Sequence, residues 1–180
     1  MKTNKSFGQF VAYQVIRKVH DGSAMKKRVN PTKVLTNLGL KEGDTVFEPG
    51  CGPGFYTLAA AAIVKTNGFV NAYDVNPYMI ECIKEKMQNQ GIRNINAYLQ
   101  NANATDLENN TVDFSFIFGV PRIDGGMEKL IAEIARVSKK GALLAFQAER
   151  REPENLFRVM EEKGFTFLKR EQKYVIFAKQ

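Results

Sequence analysis

Residues 46–58 read V-F-E-P-G-C-G-P-G-F-Y-T-L. A short apolar strand runs into Glu48, glycines follow at alternate positions (Gly50, Gly52, Gly54), and an apolar run able to open a helix starts at Phe55. Glycine at alternate positions removes the Cβ atoms that would hold a ligand off the backbone and permits the positive φ of a tight turn. A strand–turn–helix unit also directs free N–H groups of the helix N-terminus at whatever binds there. The spacing differs from the dinucleotide fingerprint G-x-G-x-x-G. Gly54 lies two residues after Gly52, and Phe55 stands where the third glycine would be. Beside the turn, Glu48 would repel a pyrophosphate and suits a ligand with an α-ammonium group. The competing reading is an ordinary strand-to-helix turn that happens to be rich in glycine.

On these residues the chain resembles class I S-adenosylmethionine (SAM) dependent methyltransferases, and its overall pattern is similar to the small-molecule, quinone-biosynthesis type. The resemblance covers roughly residues 30–180. It implies SAM as cofactor, with Gly50, Cys51 and Gly52 approaching the methionine half through backbone atoms. Cys51 suits that place because it is small rather than reactive. The resemblance also implies a Rossmann-like sheet of seven strands with the seventh reversed.

The remaining pattern supports that architecture separately. Apolar positions 7, 10, 11, 12, 15, 16 and 19 have roughly helical spacing. Residues 20–30 read as a flexible connection, and Asn30-Pro31 opens a short helix to about Leu38. Strand and helix then alternate: strand 45–48, helix 55–64, strand 69–74, helix 77–90 capped by Asn76 and closed by Gly91, strands 95–99 and 112–118. A helix around residues 127–135, with Asp124 as a possible cap, leads to strand 141–146, helix 153–163 and strands 165–169 and 174–178. Alternation of this kind predicts an α/β, doubly wound, mostly parallel sheet. The terminal hairpin requires an antiparallel last strand. The whole reads as one domain, with a basic helical lid over residues 1–40 and an α/β core over 41–180.

Ligands of open α/β sheets lie beyond the carboxyl ends of the strands. Asp74 ends the second strand about 20 residues after the glycine loop, where a carboxylate can accept both hydroxyls of a ribose. The alternative is that Asp74 merely caps the next helix, although Asn76 already fills that role. Val75 and Met79 are placed to flank an adenine, with plain core packing as the other reading of Met79. After the third strand, A-N-A-T-D-L (102–107) looks like the family segment that meets the adenine edge. The resemblance then gives Asn103 the amino group and the Ala104 backbone a ring nitrogen. The family often has aspartate at the first of these positions, and an amide oxygen accepts more weakly. Asp106 reads as shaping the turn. Phe118 and Gly119 end the fourth strand and would line the methyl-donor end. The segment lacks the N-P-P-Y/F motif of amino-methylating DNA and protein enzymes.

No catalytic residue is assigned. Methyl transfer rests largely on alignment in a dry pocket, and a base is needed only for a protonated, weakly acidic nucleophile. His20, the only histidine, is a candidate base, and an exposed loop histidine is its plain alternative. Tyr13 and Glu149 are weaker candidates, and Arg122 could hold an anionic substrate.

The bulk composition narrows the function classes. At 180 residues, 44% apolar and 25% charged, the chain can build one full core. No stretch approaches the ~18 apolar residues of a membrane span. The N-terminus shows no secretory h-region. Cys51 and Cys82 give little basis for a disulfide, and with one histidine they cannot form a usual four-ligand zinc site. No metal is expected, and a reducing cytoplasm is the default. Residues 1–33 carry eight basic side chains against Asp21 alone, so the whole net charge of +7 sits there. Such a segment attracts anionic partners, unless it is only a solvated face. The expected partner is a small-molecule methyl acceptor of anionic character. RNA methylation through the basic segment is an alternative, as is a non-catalytic SAM-binding regulatory subunit; an NAD(P) oxidoreductase fits least. The sequence names no particular acceptor and no oligomeric state.

Overall fold

The computed structural model describes residues 5–21, 29–119, 125–148 and 155–180. Six helices and seven strands occur among these residues, apart from a 3-10 turn at Lys65–Asn67. The helices are α1 (Phe7–Asp21), α2 (Pro31–Asn37), α3 (Phe55–Val64), α4 (Pro77–Gln90), α5 (Met127–Val137) and α6 (Leu156–Glu162). The strands are β1 (Thr45–Pro49), β2 (Phe69–Asp74), β3 (Ile95–Leu99), β4 (Val112–Ile117), β5 (Ser138–Gln147), β6 (Phe165–Glu171) and β7 (Tyr174–Lys179).

All seven strands form one sheet in the order β3-β2-β1-β4-β5-β7-β6. The first five pair in parallel, and β7 runs antiparallel to both β5 and β6. The fold is therefore the doubly wound α/β sheet with a reversed last strand that the sequence pattern predicts. The chain steps outward from β1 to β3 and returns to β4 on the other side of β1. That reversal opens a crevice at the carboxyl ends of β1 and β4.

Strand alternation divides the core into two layers. Val46, Phe114, Phe116 and Phe118 pack with Leu35 of α2, Ala60 of α3 and Ile83 of α4. Phe47, Tyr73 and Ile117 face the other way, onto Leu130, Ile131 and Ile134 of α5 and Met160 of α6. Both faces of the central strands are covered, as parallel sheets require.

Helix starts follow local chemistry. Asn30 Oδ1 accepts from Lys33 N (3.0 Å) and Asn76 Oδ1 from Tyr78 N (3.1 Å), each with proline next in the chain. Gly91 closes α4 at φ 65°. The structure departs from the sequence expectation in two places. α1 continues through His20 to Asp21, where a connection is expected. β5 begins at Ser138, directly after α5, because Ser138 pairs with Val112 ahead of a register shift at which the extra residues bulge out of β5. The expected cap Asp124, the start of the 153–163 helix, and the candidates Arg122 and Glu149 lie outside the described residues. Among those described, no helix is long and apolar enough to cross a membrane.

Candidate active site

β1 delivers Glu48 to the mouth of the crevice and the chain then turns through Gly50, Gly52 and Gly54, at φ 71°, 53° and 90°. These left-handed values are what glycine is needed for. At Gly54 a Cβ would also lie 3.0 Å from Ile83 Cγ1. The turn folds onto the end of β2. Gly50 N and Cys51 N both donate to Tyr73 O (2.8 and 3.0 Å), and Gly54 N donates to Cys51 O (3.2 Å). Gly52 N donates to Asp74 Oδ2 at 2.9 Å. The sequence suggests free N–H groups aimed at a ligand, but the turn's four glycine and cysteine N–H groups are donated internally. A loop of this kind offers little to a pyrophosphate. Its carbonyl oxygens and the nearby carboxylates favour a cationic group.

Glu48 is 4% exposed, and its Oε2 has no hydrogen-bond partner among the described residues. Burial pushes its carboxyl up to about 8; the Thr57 hydroxyl opposes this and the charge of Asp74 adds to it. Asp74 is also raised by burial, while N–H groups of Asn76, Gly52 and Val75 pull it back. Its Oδ1 accepts from Asn76 N (2.8 Å) and Oδ2 from Gly52 N. Asp74 therefore does take part in the turn before α4, as the plain alternative holds. Each oxygen nevertheless keeps a further lone pair for a ligand. Cys51 is buried, and its thiol is driven well upward first by burial and then by the two carboxylates, so it is held as an unreactive thiol. Cys51 and Cys82 are both free.

These groups face one cavity of about 480 Å³. Nine of the eleven residues singled out from the sequence line it: Glu48, Gly50, Cys51, Gly52, Asp74, Val75, Met79, Asn103 and Phe118. Gly54 and Ala104 do not. Gly54 serves as the left-handed N-cap of α3, and Ala104 O accepts from Gln100 Nε2 (2.9 Å). Tyr13 is not at the cavity either. It packs on α4, and its hydroxyl accepts from Arg17 Nη1 (2.7 Å). The backbone of His20 belongs to α1.

The loop after β3 is fixed from below. Glu133 of α5, 8% exposed, accepts through Oε1 from Thr105 N (2.7 Å) and Thr105 Oγ1 (2.6 Å). Arg136 Nε donates to Glu133 Oε2 (2.9 Å), and its Nη2 donates to Glu133 Oε1 (2.7 Å) and Thr105 O (3.2 Å). At the same cavity, Tyr56 meets Phe118 edge-on with centroids 4.9 Å apart, and Phe118 lies 4.9 Å from Tyr174. The Tyr56 and Tyr174 hydroxyls are 3.3 Å apart. Among the described residues, Lys173 is the only cationic one that lines the cavity.

Residues 40–175 match the family described as methyltransferase domain. The chain belongs to that family, in its class I SAM-dependent form. This methyltransferase is 28% identical over 137 residues to the ubiquinone/menaquinone biosynthesis C-methyltransferase UbiE of Marinomonas sp. (strain MWYL1), covering 74% of the chain and 54% of that protein. It thus spans about half the length of the curated relatives it matches. A SAM-dependent methyltransferase structure from Aquifex aeolicus superimposes with a TM-score of 0.71 at 29% identity, over 92% of this chain and 96% of that one. Geranyl diphosphate C-methyltransferase from Streptomyces coelicolor A3(2) shares the fold at 15% identity and a TM-score of 0.65, over 76% of this chain and 59% of that one.

The methyltransferase also places at the cavity residues the sequence reading passes over. Gln147 ends β5, where the strand-end rule could have found it. Tyr56 follows the glycine turn by two residues. Ala12, Ile16 and Lys173 reach the cavity only through tertiary folding, and no local signal marks them.

Proposed function

We propose that this protein transfers a methyl group from SAM to a small, planar, quinone-type acceptor of anionic character. The observation that carries this reading is Glu48, whose buried Oε2 has no hydrogen-bond partner among the described residues and which lines the same cavity as Asp74, beside a loop whose N–H groups are already spent. A buried carboxylate oxygen left without a donor is costly, and an ammonium group relieves that cost. The residues present therefore fit SAM. Glu48 and the turn carbonyls hold the amino-acid end. Asp74 grips the ribose, Val75 and Met79 flank the adenine, and Asn103 with the Ala104 backbone meets its edge.

When bound, SAM supplies a methyl group activated on a sulfonium. The protein's part is to align the acceptor and exclude water. Tyr56 and Phe118 form the aromatic wall against which a flat acceptor stacks. Lys173 faces its anionic group from the cavity rim. Ala12 and Ile16 of α1 line the cavity, which supports the N-terminal helix as its cover. Tyr56 is the titratable group of the aromatic wall, and burial raises its hydroxyl. An acceptor already ionised, such as a quinol anion, therefore suits this site best. The C-methylation named for the UbiE relatives favours the same class.

The test is calorimetric titration with S-adenosylhomocysteine and, separately, NADH, followed by labelled-methyl transfer to reduced naphthoquinones, lipids and RNA. Binding of the first ligand alone, with label in the naphthoquinone fraction, is expected. Failure of S-adenosylhomocysteine to bind at millimolar supply overturns the reading, and label only in RNA overturns the acceptor class.

A further inference from the structure

α1 has two apolar sides, and only one is used by the rest of the fold. On the used side the Tyr13 ring stacks on Tyr78 (centroids 5.8 Å, interplanar 21°), and Phe10 meets Tyr78 edge-on at 5.3 Å. Ile16 faces the cavity. Asn76 Nδ2 donates to Gln9 O (2.9 Å), and Lys5 pairs with Glu81 at 2.7 Å. These contacts fix the rotation of the helix. The opposite side presents Phe7, Val11 and Val15, which are 81%, 44% and 59% exposed. Their spacing of four residues sets them in one row, about 12 Å long at the helical rise.

The helix itself carries basic residues beside this row and one acid, at its last position. Lys18 lies one turn beyond Val15, and no acidic residue occurs before Asp21. Residues 34–180 are neutral in sum, so the net +7 of the chain falls within residues 1–33, the stretch of sequence that includes this helix. An apolar row flanked by cations on a fifteen-residue helix matches a helix lying in the interfacial plane of an anionic bilayer, and it is too short to span one. A second copy fits poorly, because pairing two such helices brings like charges together. Nucleic acid would engage the cations and leave the apolar row in water.

We propose that α1 seats this protein on an anionic lipid bilayer, with Phe7, Val11 and Val15 entering the headgroup–acyl boundary and the basic residues meeting lipid phosphates. Ala12 and Ile16 lie on the same helix and face the cavity, so the bilayer surface rests about one helix diameter, ~10 Å, from the site. The proposal stands on the helix alone and does not depend on methyl transfer.

The test sediments the full chain with phosphatidylcholine vesicles, with and without phosphatidylglycerol. Co-sedimentation with the anionic vesicles is expected, weakening as salt rises. The Phe7→Ser, Val11→Ser, Val15→Ser variant should lose at least about tenfold in partitioning, with S-adenosylhomocysteine binding unchanged as the check on folding. The chain contains no tryptophan, so Phe7→Trp gives a second readout whose emission should shift to the blue only with anionic vesicles. Equal partitioning of wild type and triple variant, an unmoved emission from the Phe7→Trp variant, or a concentration-dependent dimer without vesicle binding each overturns the proposal. Loss of S-adenosylhomocysteine binding by the wild type would instead count against the function proposed above and leave the vesicle result standing.

Discussion

Glu48 couples the state of the site to pH. Its ordinary carboxyl value is 4.5 and burial lifts it to about 8 in the folded chain. Between these values the unfolded chain has released a proton that the folded chain keeps, so Glu48 makes stability fall as pH rises through that window and level off above about 8. Glu48→Gln should remove this slope and raise the melting temperature by about 5 °C at pH 8, read by scanning calorimetry. Ligand binding has the opposite sign. Holding an ammonium requires the ionised carboxylate, so affinity for S-adenosylhomocysteine should climb from pH 6 towards 8, by up to about tenfold per pH unit. Titrations in buffers of different protonation enthalpy should record proton release over the same range. A flat profile would show that Glu48 does not meet the ammonium. The more stable Glu48→Gln variant should bind this ligand much more weakly, trading stability against function.

At the scale of elements, the clamp between α5 and the loop after β3 holds in place the loop that carries Asn103 to the cavity. Burial pushes the Glu133 carboxyl up, but hydrogen bonds from Arg136 and Thr105 outweigh it and leave it below the ordinary value. Its contribution is therefore present above the unfolded value and lost as pH falls towards the folded one. Glu133→Ala should cost about 3 kcal/mol in urea unfolding, because Thr105 and Arg136 lose their acceptor. The same variant should weaken S-adenosylhomocysteine binding. Gly54→Ala should cost about 2 kcal/mol through the left-handed backbone and the approach to Ile83. Elements whose ends are written in local chemistry were legible: α4 runs from the residue after its Asn76 cap to the residue before Gly91, as Asn76-Pro77 and Gly91 predict. The start of β5 was not, since Ser138 becomes strand only by pairing with Val112. Glu133 was hidden for a similar reason. A glutamate in an amphipathic helix looks solvated until Thr105 and Arg136 close over it.

At the scale of the molecule, the half of the site formed by consecutive segments could be read in advance, and the half formed by distant ones could not. Glu48, the glycine turn and Asp74 sit at strand ends whose order the alternation predicts. Lys173, Gln147 and Ile16 come from the hairpin, β5 and α1, and they meet at the cavity only because the sheet brings them there. If α1 is the cover, a chain lacking residues 1–29 should still bind S-adenosylhomocysteine and lose turnover. Unchanged turnover would remove α1 from the catalytic cycle.

The strand order also governs when the sheet can be completed. Among the described residues β6 touches the sheet only through β7, the strand synthesised after it, so a later-made strand is inserted between two earlier ones. A nascent chain that has emerged only as far as Glu171 would leave β6 unpaired and the edge of β5 bare. It would also lack Lys173 and the tyrosine that meets Tyr56. Stalled chains of that length should be cut readily by protease within residues 165–171, and resistance should appear once residues 174–179 clear the ribosome. The hairpin's lysine would then join the cavity, and its tyrosine meet Phe118, only after the residues supplied by β1 and β2 are already in place.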